Sequence, residues 1–272
     1  MSAKYEFVPG DTITIGPGCT LKRIRALTAI ATMGVAPGNI GGYIEHEKNL
    51  AQVSGDAWVY GDAQVYGNAR VSGDARVSGD ARVSGNAQVS GNARVSGDAW
   101  VYGDAWVYGD AQVYGNAWVS GDAQVSGNAR VYGDAQVSDN AQVSGDARVS
   151  GNARVSGNAR VSGNAWVSGN AWVSGDAWVS GNAWVSGDAW VSGNGLIFWA
   201  SKVGTENGTL TVYNTKDSTL QVTRGCFIGT VDEFLAASER RRDDDTHFEY
   251  RLLIEVARSR IARARAKLEG GQ

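Results

Sequence analysis

Valine recurs at every sixth position from Val53 to Val191, twenty-four times without an insertion or deletion. The chain around it repeats one unit, Val-(Ser/Tyr)-Gly-(Asp/Asn)-Ala-x, and an internal period of this kind constrains the architecture before any other signal is read. Six residues are too few for a helical repeat, and a glycine recurring with the same period removes helix propensity. The chain must therefore be extended, with regular corners. Val is β-branched and suits a pleated segment, so x-Val-(Ser/Tyr) predicts a short strand with valine pointing one way and its neighbours the other. Gly followed by Asp or Asn predicts a turn, because these residues tolerate positive φ, and Ala returns the chain inward.

Three such units close a triangular coil of 18 residues, and successive coils stack at the inter-strand spacing of about 4.8 Å. Twenty-four units then make about eight coils around an interior of Val and Ala. Units such as Val89-Ser90-Gly91-Asn92-Ala93-Arg94 resemble the hexapeptide repeat of the left-handed parallel β-helix superfamily, and the resemblance covers about half of the chain. It implies a left-handed coil, against the right-handed rule for parallel crossovers, whereas the period alone does not fix the hand. The expected fold is an all-β solenoid, a left-handed parallel β-helix over residues 53–196. A β-rich N-terminal cap and lead-in (1–52), a C-terminal β cap (197–229) and a helical tail (230–272) complete the expected division.

In the first segment, residues 5–8 and 12–15 alternate as strands, Pro9-Gly10-Asp11 and Pro17-Gly18 read as turns, and residues 21–30 as a further strand. Such a cap keeps the first coil from presenting unpaired edges. The run Gly38-Asn39-Ile40-Gly41-Gly42-Tyr43-Ile44-Glu45 resembles the lead-in of phage and prophage hexapeptide-repeat proteins; without a phosphate-loop spacing its glycines read as a turn. After the repeats, residues 196–203, 209–214 and 219–223 read as strands, the last two forming a hairpin across Thr215-Lys216-Asp217-Ser218. Two capping-box patterns, Thr230-Val231-Asp232-Glu233 and Thr246-His247-Phe248-Glu249, predict helices ending near Ser238 and Leu268. The segment from Gly225 to Thr230 also resembles tails of phage-associated repeat proteins. The second helix carries Tyr250, Leu253, Ala257, Ile261, Ala264 and Leu268 at helical spacing, with Phe248, Leu252 and Val256 widening the stripe. Arg251, Arg258, Arg263, Arg265 and Lys267 form a solvated face suited to a helix C-terminus, and Asp243-Asp244-Asp245 complements the opposite end of the dipole.

A net charge of −3 makes nucleic acid an unfavoured partner. Neither a signal peptide nor a membrane span is read, and two distant cysteines, Cys19 and Cys226, suggest plain buried or half-buried thiols in the cytoplasm of a host bacterium. Many members of the superfamily are acyltransferases with a histidine base, and another branch binds zinc through three histidines. Here the two histidines, His46 and His247, lie outside the repeats, so no catalytic residue, metal ligand or cofactor is assigned and no enzymatic activity is expected. Corner acids such as Asp62, Asp80 and Asp98 read as turn chemistry.

Function is sought in the outward x position. Gln64, Arg82, Trp100, Trp118, Gln136, Arg154, Trp172 and Trp190 share one face. Trp58, Trp166 and Trp184 share a second with Arg76, Arg94, Arg130 and Arg148, and Trp106 and Trp178 sit on the third. Exposed aromatic ladders signal an interface. The candidate binding patch is Trp100, Tyr102, Trp106, Tyr108 and Trp118. Trp166, Trp172, Trp178, Trp184 and Trp190 ring the last coils and are expected to be covered, on at least one face, by the chain's own tail. The expected role is a non-enzymatic scaffold of phage or prophage origin. It would act by self-association, with a trimer favoured over a dimer by the resemblance, or by capture of a host protein. The alternatives are sequestration of a small molecule between protomers and, less favoured, a relative of the acyltransferases.

Overall fold

The computed structural model describes residues 3–53, 55–241 and 244–270 and divides into two compact units, Met1–Asn140 and Ala141–Gln272. Both contain parallel β-solenoid coils, about eight in all among the described residues.

In the first unit each x-Val pair is a two-residue strand that pairs in parallel with the strand three repeats on, as Arg94–Val95 does with Gln112–Val113. Arg94 N–H donates to Ala111 O and Ser96 N–H to Val113 O, both at 2.9 Å, so the backbone of one coil is satisfied by the next. Val and Ala of these coils are buried against one another. At the corners φ is positive: Gly91 has φ 65°, and a Cβ there would stand 2.9 Å from the backbone nitrogen of Gly109 in the next coil. Asp139 occupies one such corner in place of glycine, at φ 58°.

The cap of this unit is a meander of strands Tyr5–Gly16, Cys19–Ala26 and Ile40–Ile44. Pro9-Gly10-Asp11 is not a turn. It is a bulge inside one long strand, with Gly10 at φ 79° and the pairing slipping between Phe7 and Thr12. The second strand stops at Ala26, and Ile30 makes only a short antiparallel bridge to Val35. Gly41 and Gly42 also depart from the expected turn, since both lie in the third strand; a Cβ on Gly42 would stand 2.6 Å from Ala63 O. This strand joins the solenoid directly, pairing Tyr43 with Gln64 and Ile44 with Val65.

That junction changes the start of the repeat. Leu50, fully buried, bridges to Val71, the position that the period assigns to Val53, and Val53 is left 66% exposed. Ile44 and Leu50 both pair with a residue 21 places on instead of 18. The register changes between Ala51, whose N–H donates to Val71 O twenty places on, and Trp58, whose N–H donates to Ala75 O at the regular seventeen. The strand series of the repeats accordingly begins at Trp58–Val59.

In the second unit the coils from residue 141 are followed by an antiparallel sheet of Ile197–Val203, Gly208–Asn214, Leu220–Arg224 and Phe227–Thr230. The last strand was not read from the sequence. The sheet caps the final coil mainly with side chains. Thr211 Oγ1 accepts Trp184 N–H at 3.1 Å, Thr223 Oγ1 donates to Trp184 O, Tyr213 Oη accepts Ser186 N–H at 3.3 Å and Asn214 Nδ2 donates to Trp190 O at 3.2 Å.

Helix α1 spans Val231–Arg241 and opens with the expected capping box. Glu233 N–H donates to Thr230 Oγ1 at 3.2 Å, and Thr230 N–H donates to Glu233 Oε2 at 2.8 Å. The Thr230 N–H and then the Thr230 hydroxyl, both donating to Glu233 Oε2, hold the Glu233 carboxyl below its ordinary range. Helix α2, Asp244–Glu269, starts before the second capping pattern. Thr246 is buried inside it, and Glu249 accepts Gly204 N–H instead of closing a box. Asp244 and Asp245 stand in its first turn, while Asp243 lies outside the described residues. Its buried face is Thr246, Tyr250, Ile254, Ala257 and Ile261, whereas Phe248, Leu252, Val256 and Leu268 are exposed. The wide single stripe is thus two separate faces, and Ile254 belongs to the core.

Candidate interaction faces

The ladders of the first unit sort the outward side chains as the period requires. Gln64, Arg82, Trp100, Trp118 and Gln136 follow one another on one sheet. Trp58, Arg76 and Arg94 share the second, and Trp106 lies on the third between Gln88 and Gln124. Trp100 and Trp118 stack with centroids 5.6 Å apart and planes 13° from parallel, and the Arg82 guanidinium sits 5.0 Å from the Trp100 ring. Tyr102 meets Trp100 edge-on at 6.3 Å, and Tyr108 meets Trp106 likewise at 6.1 Å. Trp106 and Trp118 are 45% and 43% exposed, so these rings offer apolar area to solvent while their neighbours hold them in fixed orientation. Tyr114 and Tyr132 add a further stack at 5.0 Å, with planes 2° apart. Tyr132 was not singled out from the sequence, although its place one coil after Tyr114 signals it.

Trp58 is a correction. It has an outward position in the repeat, yet it is fully buried, edge-on to Tyr5 at 6.4 Å and against Gly41, because the N-terminal meander lies over the first coil.

In the second unit the tryptophans are held by their own coils. Trp166 stacks on Trp184 at 5.2 Å, and Trp172 on Trp190 at 6.2 Å. Four of the indoles lean back over the preceding coil: Nε1 of Trp166, Trp172, Trp178 and Trp184 donates to Ser150, Ser156, Ser162 and Ser168 at 3.1–3.2 Å. The tail leaves Trp172, Trp178 and Trp190 exposed, while Trp166 and Trp184 are half-buried. The tail sheet closes the end of the last coil, where open backbone groups need partners, and does not wrap these three side chains. A shallow hollow of about 470 Å³ remains between Arg154, Trp172, Trp190 and Lys216.

The corners carry hydrogen-bonded ladders. Asn68 Nδ2 donates to Asn86 Oδ1 at 3.1 Å, and Asn86 Nδ2 to Asp104 Oδ1 at 2.8 Å; Asn116 donates to Asp134, and in the other unit Asn170 to Asp188. Asn thus supplies the donor that a column of aspartates lacks. Among the described residues no group of three or more His, Cys, Asp or Glu is placed to hold a metal ion.

One pairing outside the coils was missed by sequence reasoning. Ser238 Oγ and His247 Nδ1 are 2.7 Å apart, joining α1 to α2. Ser238 Oγ also lies 2.9 Å from Leu235 O, a carbonyl that can only accept. The pair ties the two helices together. His46 lies in the lead-in, largely exposed, 3.5 Å from Glu45. Cys19 is half-buried, with its thiol pushed up first by burial and then by Glu45; Cys226 is exposed, contrary to expectation, and both are free. Of the basic face of α2, Arg265 donates to Asn214 Oδ1 at 2.8 Å, and Arg258 pairs with Asp232 and Glu255 at 3.0 Å. Among the described residues no helix is long and apolar enough to cross a membrane.

No curated protein matches the chain. The family described as YdcK Beta solenoid repeat matches it over residues 63–77, 75–90, 87–103, 111–125, 123–139, 141–157 and 153–169, in agreement with the solenoid coils.

Proposed function

We propose that this chain is a non-enzymatic scaffold that binds through the aromatic ladder of its first unit, and that the first occupant of that ladder is a second copy of the chain. The stacked pair Trp100 and Trp118 carries this reading: two large rings held 5.6 Å apart on neighbouring parallel strands, flanked by Tyr102 and Arg82. Preorganised tryptophan costs little ordering on binding, and rings of this size dominate the interfaces in which they occur. The repeat supplies its own comparison, since Gln64 and Gln136 occupy the same ladder and show that a coil carries a polar residue there without loss of pairing. The resemblance of the lead-in and tail to phage-associated repeat proteins supports a phage or prophage origin and action in a bacterial cytoplasm. The superfamily's habit of packing three rods side by side supports a trimer.

Light scattering on the wild type and on Trp100→Gln with Trp118→Gln tests the reading. The double variant is expected to keep the strand signal in circular dichroism while its mass falls toward that of one chain. A wild type that is monomeric at every concentration, or a double variant with unchanged mass, removes this face as a self-association site.

A further inference from the structure

Helix α2 is apolar on two opposite sides. Tyr250, Ile254, Ala257 and Ile261 are buried against the rest of the second unit. On the other side Phe248, Leu252 and Val256 stand 58%, 53% and 47% exposed. At about 100° per residue, Leu252 points directly away from the centre of the buried face, and the three side chains form a continuous stripe rising about 6 Å from one to the next. A helix that had only to dock on its own domain would carry polar residues there.

The charges beside the stripe identify what fits it. Toward the N-terminal end lie Asp244 and Asp245; toward the C-terminal end lie Arg260 and Arg263. Close to its middle, on one flank, Arg251 and Glu255 are one turn apart. We infer that α2 pairs with α2 of a second copy, antiparallel, about a two-fold axis passing beside Leu252. In that arrangement Leu252 meets Leu252 of the second copy, and Phe248 meets its Val256. Arg251 of each helix falls beside Glu255 of the other, about 3 Å apart along the axis, and Asp245 comes within reach of Arg263. A parallel pair brings acidic end against acidic end, Asp245 beside Asp245, and basic end against basic end, Arg263 beside Arg263, which repels. Glu255 already accepts from Arg258 of its own helix but remains largely exposed, leaving an oxygen for Arg251 of the second copy. Three apolar side chains per helix are fewer than a stable interface of about 1,600 Å² carries, so the pairing is reversible and depends on concentration. It uses no tryptophan and is independent of the aromatic ladder.

The test uses the full chain carrying Trp100→Gln and Trp118→Gln, so that any remaining association is separate from that face. Sedimentation velocity over a wide concentration range is expected to show a monomer–dimer equilibrium. Arg251→Glu alone and Glu255→Arg alone are each expected to weaken it about tenfold or more, and the two together to restore it. With Cys19→Ser and Cys226→Ser added, Leu252→Cys is expected to form a disulfide dimer on mild oxidation. Phe248→Cys is not, because its two copies are about 12 Å apart along the axis. A mixture of Phe248→Cys and Val256→Cys chains is expected to cross-link. A strict monomer overturns the inference, as do a charge swap that fails to restore association and a Phe248→Cys chain that cross-links with itself, which would indicate parallel pairing.

Discussion

Thr211 Oγ1 accepts the main-chain N–H of Trp184 at 3.1 Å, while on the neighbouring strand of the cap Thr223 donates to the carbonyl of that same residue. The last coil therefore ends on side-chain hydroxyls that imitate the next coil. Thr211→Val and Thr223→Val each leave a backbone group of Trp184 without its partner, and each is expected to destabilise the second unit by about 1–3 kcal/mol, read as a lowered midpoint in urea. Unchanged midpoints in both would mean that water replaces the hydroxyls.

Removing residues 197–272 is the extreme form of the same change. It strips the cover from the end of a coil whose interior includes Val185 and Val191, and opens a sheet edge. Aggregation and binding of an apolar dye are the expected results; a soluble truncated chain with unchanged tryptophan emission would show that the cap is dispensable.

Stability should fall at high pH. Burial pushes the Tyr213 hydroxyl from 10.0 up to about 12, only partly countered by the Ser186 N–H that it accepts. The folded state thus holds a proton that the unfolded chain releases, so the contribution is full below pH 10 and is lost as pH rises from 10 toward 12. Tyr5, buried and donating to Glu47 O and Leu50 O, is raised too and acts with the same sign in the first unit. Tyr213→Phe is expected to lower the thermal midpoint at neutral pH and to flatten its decline between pH 10 and 12. A decline as steep as in the wild type would assign the effect elsewhere.

Asp139 is a natural experiment at a corner. A residue with a Cβ held at φ 58° costs about 1–2 kcal/mol relative to glycine. Asp139→Gly is expected to return roughly 1 kcal/mol, measured by denaturant unfolding. Gly42→Ala should do the opposite, because its Cβ would meet Ala63 O at 2.6 Å, and an unchanged unfolding midpoint would show that the strand moves aside freely.

The coils were legible because one period sets everything in them: Val and Ala inward, glycine at the corner, x outward. Their parallel pairing with the third repeat on follows from that spacing. The ends were harder for a physical reason, since there the outcome depends on which of two similar residues arrives first. Leu50 and Val53 are both apolar and both close to the right place, and only the docking of Ile40–Ile44 on the coil decides for Leu50. Trp58 reads as outward because nothing in the repeat announces that Tyr5 will lie over it. The pattern Thr246 to Glu249 satisfies a capping box by composition, but the helix had already begun at Asp244, and Glu249 found Gly204. On the same helix, nine apolar residues could be joined into one stripe on paper; burial separates them into two. The faces of the aromatic residues were recovered from counting, whereas their stacking angles and the serine partners of the second set required coordinates.

Within the first unit a wall of the molecule is addressed by number. Gln64, Arg82, Trp100 and Trp118 share a wall because each follows the last by three repeats. Near-identical tandem copies are prone to slippage when a gene is replicated. Loss or gain of three repeats at once changes only the number of storeys and returns every later side chain to its own wall. Loss of one or two swings the whole downstream pattern onto a different wall, parting Arg82 from Trp100. Descendants of this chain that keep the same aromatic pairing should therefore differ in length by whole storeys, never by a single repeat.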